Sequence, residues 1–222
     1  MERTVPRLVL VRPRSADNLL SIARAMATFG LREWVAVISA AHFARMHEVA
    51  RRRYAPEEVA SLASLRRVDT LGDAVAGCEV AVGTTMRVVP GKPRLTPREL
   101  ALSQAHTQTP WALVFGAESN GLTDDDLKSC HALSFIPTEP EQPSVNLSQA
   151  LLLFAYELHA ARHAPEVLAD VAALRALRET MAGGLRKRGL PRRDADALVE
   201  PLIRSGLTER ERALHDAAWS AG

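Results

Sequence analysis

Phe135-Ile136-Pro137-Thr138-Glu139-Pro140-Glu141-Gln142-Pro143-Ser144-Val145-Asn146-Leu147-Ser148-Gln149-Ala150 leads from an apolar run into a long apolar helical pattern through a polar loop. Its three prolines fix φ and remove three backbone donors, so the loop is stiff while its carbonyls and remaining amides stay free. Ser144 and Asn146 fall where the next helix begins, and unpaired N–H groups gather at helix starts. The stretch therefore reads as strand, ligand loop, helix, and the helix runs from about Leu147 to Arg162.

The same alternation extends through the chain. Leu8 to Val11, Trp34 to Ile38, Leu65 to Val68, Glu79 to Val82, Trp111 to Phe115 and Leu133 to Ile136 read as buried strands. Helical patterns separate them at Asp17–Phe29, Phe43–Tyr54, Pro56–Ser64, Leu71–Ala76, Pro97–His106 and Thr123–Ser129. Thr96-Pro97-Arg98-Glu99 has the form of a capping box with proline at the first helical position. This pattern predicts an α/β fold with a mostly parallel sheet flanked by helices. Beyond about residue 164 strands cease. Helices are expected over Glu166–Met181, Arg192–Arg204 and Glu209–Trp219, the last opened by the box Thr208-Glu209-Arg210-Glu211. The division expected is 1–164 for the main domain and 165–222 for a helical extension.

Composition narrows the function. The 222 residues are 47% hydrophobic with a net charge of +2, enough to bury one substantial core. Only Lys92, Lys128 and Lys187 are lysines, so the basic side chains are nearly all arginine, which suits phosphate through its planar fork. Cys78 and Cys130 lie far apart with no C-x-x-C, which fits a reducing compartment and offers no metal site. No apolar run approaches the roughly 20 residues of a membrane span. The N-terminus lacks the apolar core of a signal peptide, and the expectation is a cytoplasmic protein with no membrane or metal partner.

Three strand ends finish in loops of small polar residues. Val82-Gly83-Thr84-Thr85 and Phe115-Gly116-Ala117-Glu118-Ser119-Asn120-Gly121-Leu122 each follow a strand, as does the proline loop. The second is neither a P-loop nor a dinucleotide fingerprint, and Glu118 in it favours a cationic or hydrogen-bond-donating ligand over phosphate. The first helix carries Asp17, Ser21, Arg24 and Thr28 on one stripe and Leu19, Ile22, Ala23 and Met26 opposite, with Asn18 at its start. In a parallel sheet that start lies at the C-terminal edge, where such folds bind ligands.

Taken in order, Asn18-Leu19-Leu20-Ser21-Ile22-Ala23-Arg24-Ala25-Met26, Val82-Gly83-Thr84-Thr85, Leu113 to Leu122, and Ile136-Pro137 with Ser144 to Ala150 resemble the motifs of SpoU/TrmH-type RNA ribose 2′-O-methyltransferases of the SPOUT superfamily. The branch they are most similar to is that of TrmJ. The resemblance covers residues 8 to about 162, and Gly206 to Glu211 is similar to that branch's C-terminal extension.

The resemblance implies a deep trefoil knot whose walls form an S-adenosyl-L-methionine pocket, and a homodimer packed through the knotted domain. It implies cofactor contacts at Gly83, Thr84, Thr85, Gly116, Ile136, Val145, Asn146 and Leu147. Arg24 would be the catalytic arginine, with Asn18, Glu118, Ser144 and Asn146 completing the site. The substrate implied is RNA, tRNA in preference to rRNA, with the anticodon loop as target. The alternatives are rRNA 2′-O-methylation and a catalytically weak RNA-binding protein of the same fold. Guanidinium stays protonated, so the role expected of Arg24 is to bind the adjacent phosphate and stabilise a developing alkoxide. RNA contact is expected at Arg12, Arg14, Arg87 and Lys92, and at Arg186, Lys187, Arg188, Arg192 and Arg193. Two residues depart from the family pattern: Leu20 replaces a glycine and is expected to narrow the RNA entrance, and Ala117 replaces an Asn or Arg.

Overall fold

Along β1 (Arg7–Val11), Leu8 and Leu10 face one apolar core while Val9 and Val11 face another, and all four are at most 1% exposed. A strand buried on both sides requires covering layers on both sides. The computed structural model describes residues 5–105, 107–142, 144–163 and 171–204. The chain divides into two compact units, Met1–His163 and Ala164–Gly222.

In the first unit β1 is followed by α1 (Ala16–Phe29), β2 (Trp34–Val37), α2 (Ala40–Arg53), α3 (Pro56–Ala60), a 3-10 turn (Ser61–Ser64), β3 (Arg66–Val68) and α4 (Leu71–Val75). Then come β4 (Val80–Thr84), β5 (Arg94–Leu95), α5 (Pro97–Gln104), β6 (Trp111–Phe115), α6 (Asp124–Lys128), β7 (Ala132–Ser134) and α7 (Leu147–His163). The strands form one parallel sheet in the order β3-β2-β1-β6-β4-β7-β5. On one face α1, α2, α5 and α7 bury Leu19, Met46, Leu100 and Phe154 against Leu8, Leu113 and Phe115. On the other, α4 and α6 bury Ala74 and Leu127 against Val9, Val35 and Val114. The α/β architecture with a parallel sheet is the one expected.

The helix ends follow local chemistry. Ser15 accepts from the Asn18 amide at 3.3 Å and starts α1, and Gly30 ends it in the left-handed region at φ 69°. The Thr96 box forms as read, with the Thr96 amide donating to Glu99 Oε2 at 2.7 Å and the Glu99 amide to Thr96 Oγ1 at 3.3 Å. Differences in the first unit are confined to short pieces, and in the second the helix expected to end at Met181 runs on to Lys187. Helix α2 begins at Ala40 because Ser39 caps it, three residues before the first strongly apolar side chain. The Pro56–Ser64 pattern divides into α3 and the 3-10 turn. Strand β5 has two residues between Pro93 and Thr96-Pro97, too few to leave a pattern, and exists because Arg94 and Leu95 pair with β7.

In the second unit α8 (Val171–Lys187) and α9 (Arg192–Arg204) pack around Leu177, Met181, Ala182 and Val199. Gly189, at φ 93°, turns the chain between them. Thr208 to Glu211, the helix expected over Glu209–Trp219, Gly206 and Pro143 lie outside the described residues.

Candidate active site

The sheet order changes direction beside β1, and the loops after β1, β4, β6 and β7 all leave from its C-terminal edge. In open parallel sheets this edge is the binding position. A cavity of about 380 Å³ lies there, walled by the loops after β4, β6 and β7 and floored by Phe115 and Phe154. Thr84, Thr85, Gly116, Ile136, Val145 and Leu147 line it. Gly83 does not: it sits inside β4, where an added Cβ would lie 2.8 Å from Cys130 Sγ and 3.1 Å from Leu122 Cδ1. Asn146 also lies off the wall, at the start of α7.

The loop after β6 owes its shape to two glycines. It closes through a bridge between Ala117 and Gly121, with the Gly121 amide donating to the Ala117 carbonyl at 2.8 Å. A Cβ at Gly116 would come within 2.1 Å of Gly121 C and 2.2 Å of Leu122 N, so only glycine fits. Gly121 turns the loop at φ 65°.

Glu118 is held from the side of α1. Its carboxylate accepts from the amides of Arg14 (3.0 Å) and Ser15 (3.1 Å) and from Asn18 Nδ2 (3.0 Å). Asn18 Oδ1 in turn accepts from Asn146 Nδ2 at 3.2 Å, and Asn146 Oδ1 caps α7 by accepting from the amides of Ser148 (2.9 Å) and Gln149 (3.3 Å). One chain of hydrogen bonds thus ties the loops after β1, β6 and β7. Glu118 thus lines the cavity while the start of α1 donates to its carboxylate. Ser144 lines the cavity and is exposed.

Arg24 stands apart. It lies nearly two turns beyond Asn18 along α1, about 9 Å of helical rise, is absent from the cavity wall, and pairs with Glu58 of α3. The structure therefore brings Asn18, Glu118, Ser144 and Asn146 together and leaves Arg24 on the outer face of α1. Leu20, expected to narrow an entrance, is 4% exposed and belongs to the core. Ala117 lines the cavity.

The basic residues expected at the sheet edge have internal partners. Arg12 adopts a left-handed φ of 55° and pairs with Asp126 at 2.5 Å. Arg14 Nη1 donates to Ser119 Oγ at 3.0 Å, Arg87 pairs with Asp124 at 2.5 Å, and Lys92 donates to the carbonyls of Lys128 and Cys130. Burial of Asp126 opposes its ionisation, but hydrogen bonds from Arg12 and Thr123 outweigh it and hold the carboxyl below its ordinary range. Burial pushes the Cys130 thiol up to about 11, so it stays protonated behind Gly83. In the second unit Arg186 and Arg192 lie near Asp196, at 3.9 Å each, while Lys187 and Arg193 are exposed.

Sequence reasoning missed three parts of this arrangement. The amides of Arg14 and Ser15 leave no side-chain signal. Phe154 looks like any core residue of an apolar helix. Glu58 had a signal, since proline followed two residues later by glutamate marks a helix start.

Comparison with known proteins bears on this edge of the sheet. Residues 6–156 match the SpoU rRNA Methylase family. The chain is 39% identical over 160 residues to the tRNA (cytidine/uridine-2′-O-)-methyltransferase TrmJ of Citrobacter koseri, covering 70% of this chain and 63% of that protein. It is 37% identical over 171 residues to TrmJ of Salmonella typhimurium, covering 75% and 68%. It thus spans about two-thirds of the length of these curated relatives. Among solved structures, TrmJ from Z. mobilis aligns with a TM-score of 0.62 at 27% identity over 98% of this chain and 99% of that one. A probable methylase family protein from Haemophilus influenzae aligns with a TM-score of 0.63 at 25% identity over 97% and 94%. With most of the first unit inside the family match, cavity loops included, the chain belongs to the SpoU rRNA methylase family.

Proposed function

We propose that the protein is an S-adenosyl-L-methionine-dependent RNA methyltransferase that methylates a ribose 2′-hydroxyl of tRNA, in the anticodon loop. The observation that carries the reading is the Asn18–Glu118–Asn146 network at the rim of the three-loop cavity, in a chain about 38% identical to proteins named for this reaction.

The cavity suits the cofactor. Arg87 and Glu118 are the only charged residues among its described lining, and both are engaged by the protein, so a polyphosphate would find no free counter-charge. The apolar floor of Phe115, Phe154 and Leu147 takes a flat aromatic group, and the volume is in the range of small-ligand sites. Backbone at Thr84, Thr85, Gly116, Ile136, Val145 and Leu147 would hold it, with Gly83 and Asn146 acting one step behind the wall. When bound, S-adenosyl-L-methionine supplies a methyl group already activated on a sulfonium, so the protein's tasks are alignment and activation of the hydroxyl.

Asn18 and Glu118 fix the rim geometry, Ser144 and Asn146 orient the ribose, and Arg24, on the outer face of α1, binds the RNA phosphate adjacent to that ribose. The hydroxyl proton passes to that phosphate or to water. The placement of β7 between β4 and β5 supports the trefoil knot, since segment 85–93 must pass β7 to return to β5. Helix α7 leaves Leu152 45%, Leu153 44% and Tyr156 55% exposed, an apolar patch that supports a homodimer packed through residues 1–164. Helices α8 and α9 belong to the extension proposed over 165–222, and its exposed Lys187 and Arg193 contribute to RNA contact. Among the described residues no helix is long and apolar enough to cross a membrane, and we place the enzyme in the cytoplasm with its substrate.

Purified protein incubated with methyl-labelled S-adenosyl-L-methionine and either tRNA or rRNA, followed by nuclease digestion and mass spectrometry, tests the reading. A 2′-O-methylated nucleotide in tRNA is expected. No transfer to either RNA, together with no calorimetric cofactor binding in the presence of tRNA, would overturn it.

A further inference from the structure

The ion pair between Arg24 of α1 and Glu58 of α3 is asymmetric. The Arg24 side chain is 70% exposed and the Glu58 side chain 29%. Glu58 is the fixed member: its Oε2 accepts from the Ala55 amide at 3.3 Å at the start of α3. The base under α3 is anchored as well. In the adjoining 3-10 turn Leu62 is 1% exposed in the core, and Ser64 Oγ accepts from the Trp34 indole at 2.9 Å. Arg24 is thus the free end of a contact whose other end is built into the fold.

The contact uses a single guanidinium nitrogen, Nη2, on Glu58 Oε1. A guanidinium carries five N–H donors in a planar fork, so Nε and Nη1 remain for another acceptor. Among the described residues no other hydrogen bond is made by the Arg24 side chain. Exposed pairs of this kind add little to folding, so fold stability does not account for it. Fixing a long side chain before substrate arrives lowers the ordering cost of the bound state.

We propose that Glu58 is a positioning residue for Arg24, holding one edge of the guanidinium so that the other edge is presented to the RNA phosphate. The inference rests on the role of Arg24 given above, and its test separates the two.

Glu58→Gln is the informative change, because the glutamine carbonyl oxygen can still accept from the Ala55 amide while the ionic hold on Arg24 is lost. Steady-state methylation of tRNA by the full chain is expected to show kcat lowered about tenfold, with KM for tRNA within about twofold, the pattern of an interaction that matters in the transition state. Calorimetric affinity for S-adenosyl-L-methionine and the melting temperature should match the wild type. Arg24→Ala is the reference, expected to be nearly inactive. If Arg24→Ala is inactive and Glu58→Gln keeps full kcat, the positioning role is wrong and the function stands. A rise in kcat/KM in Glu58→Gln would mean that Glu58 restrains Arg24, also overturning it. A kcat loss matched by a fall in melting temperature would assign Glu58 to folding alone. Full activity in Arg24→Ala would remove the role of Arg24 and the inference with it.

Discussion

Asn146 Nδ2 donates to Asn18 Oδ1 at 3.2 Å, joining residues 128 apart in sequence. Because Asn18 Nδ2 donates onward to Glu118 and Asn146 Oδ1 caps α7, both amides work at each end. An asparagine is the residue that can accept and donate in such a relay, and its replacement by aspartate removes the donor while adding a charge.

Asn18→Asp should therefore be worse than Asn18→Ala. It sets a second carboxylate against Glu118 at a position that is only 9% exposed, so water does little to relieve the repulsion. We expect a loss of about 2 kcal/mol in unfolding free energy at pH 7, against about 1 kcal/mol for the alanine variant. Lowering the pH protonates one carboxyl and restores stability to Asn18→Asp relative to Asn18→Ala. Denaturant titrations of both variants at pH 7 and pH 4.5 check the ordering; equal losses at both values would contradict it.

Gly116→Ala should dismantle the loop after β6. The added Cβ meets backbone atoms that cannot swing aside, at 2.1 and 2.2 Å. Loss of cofactor binding is expected with a stability cost of about 2 kcal/mol or more. Calorimetry with S-adenosyl-L-methionine and thermal unfolding report the two effects, and retention of wild-type affinity would count against the assignment of this wall.

The Arg12–Asp126 pair gives a pH-dependent contribution. The Asp126 carboxyl is depressed in the folded protein, so its contribution is present above the ordinary aspartate range, near 3.9, and is lost as pH falls through the lower folded value. Asp126→Asn should cost about 1–2 kcal/mol at pH 7, less than a fully buried pair because Arg12 is 46% exposed. Its difference from the wild type should shrink in acid. A constant difference from pH 7 to pH 3 would show that the charge is not the cause.

Leu153→Glu with Tyr156→Glu should disrupt the proposed dimer. Both side chains are about half exposed on α7, so the monomer's fold should tolerate them, whereas burial of two carboxylates in an apolar contact is costly. Sedimentation analysis should show a shift from dimer to monomer; an unchanged dimer would move the contact elsewhere.

Much of the fold was legible locally. Leu8-Val9-Leu10-Val11 is apolar at every position, which only a doubly covered strand requires, and Ser15, Thr96 and Gly30 mark helix ends through bonds made within a few residues. Strand β5 was not legible, because its two residues are strand only by virtue of β7 beside them. The order of the strands was equally hidden, since nothing in Val80–Thr84 states that its neighbours are Trp111–Phe115 and Ala132–Ser134.

For the site, residue types and order along the chain pointed to the loops that wall the cavity, while the partners of their side chains did not follow. Glu118 reads in the sequence as an acceptor in a loop, and only the fold shows that the amides of Arg14 and Ser15 donate to it. Arg12, Arg87 and Lys92 looked like free cations, and each answers a carboxylate or carbonyl more than 30 residues away. By itself the sequence determined the alternation of buried strand and capped helix, because burial period and capping are short-range. Only the tertiary structure decided which polar groups meet at the sheet edge, because a hydrogen-bond partner is chosen by distance in space, and that distance is set by how the strands are ordered.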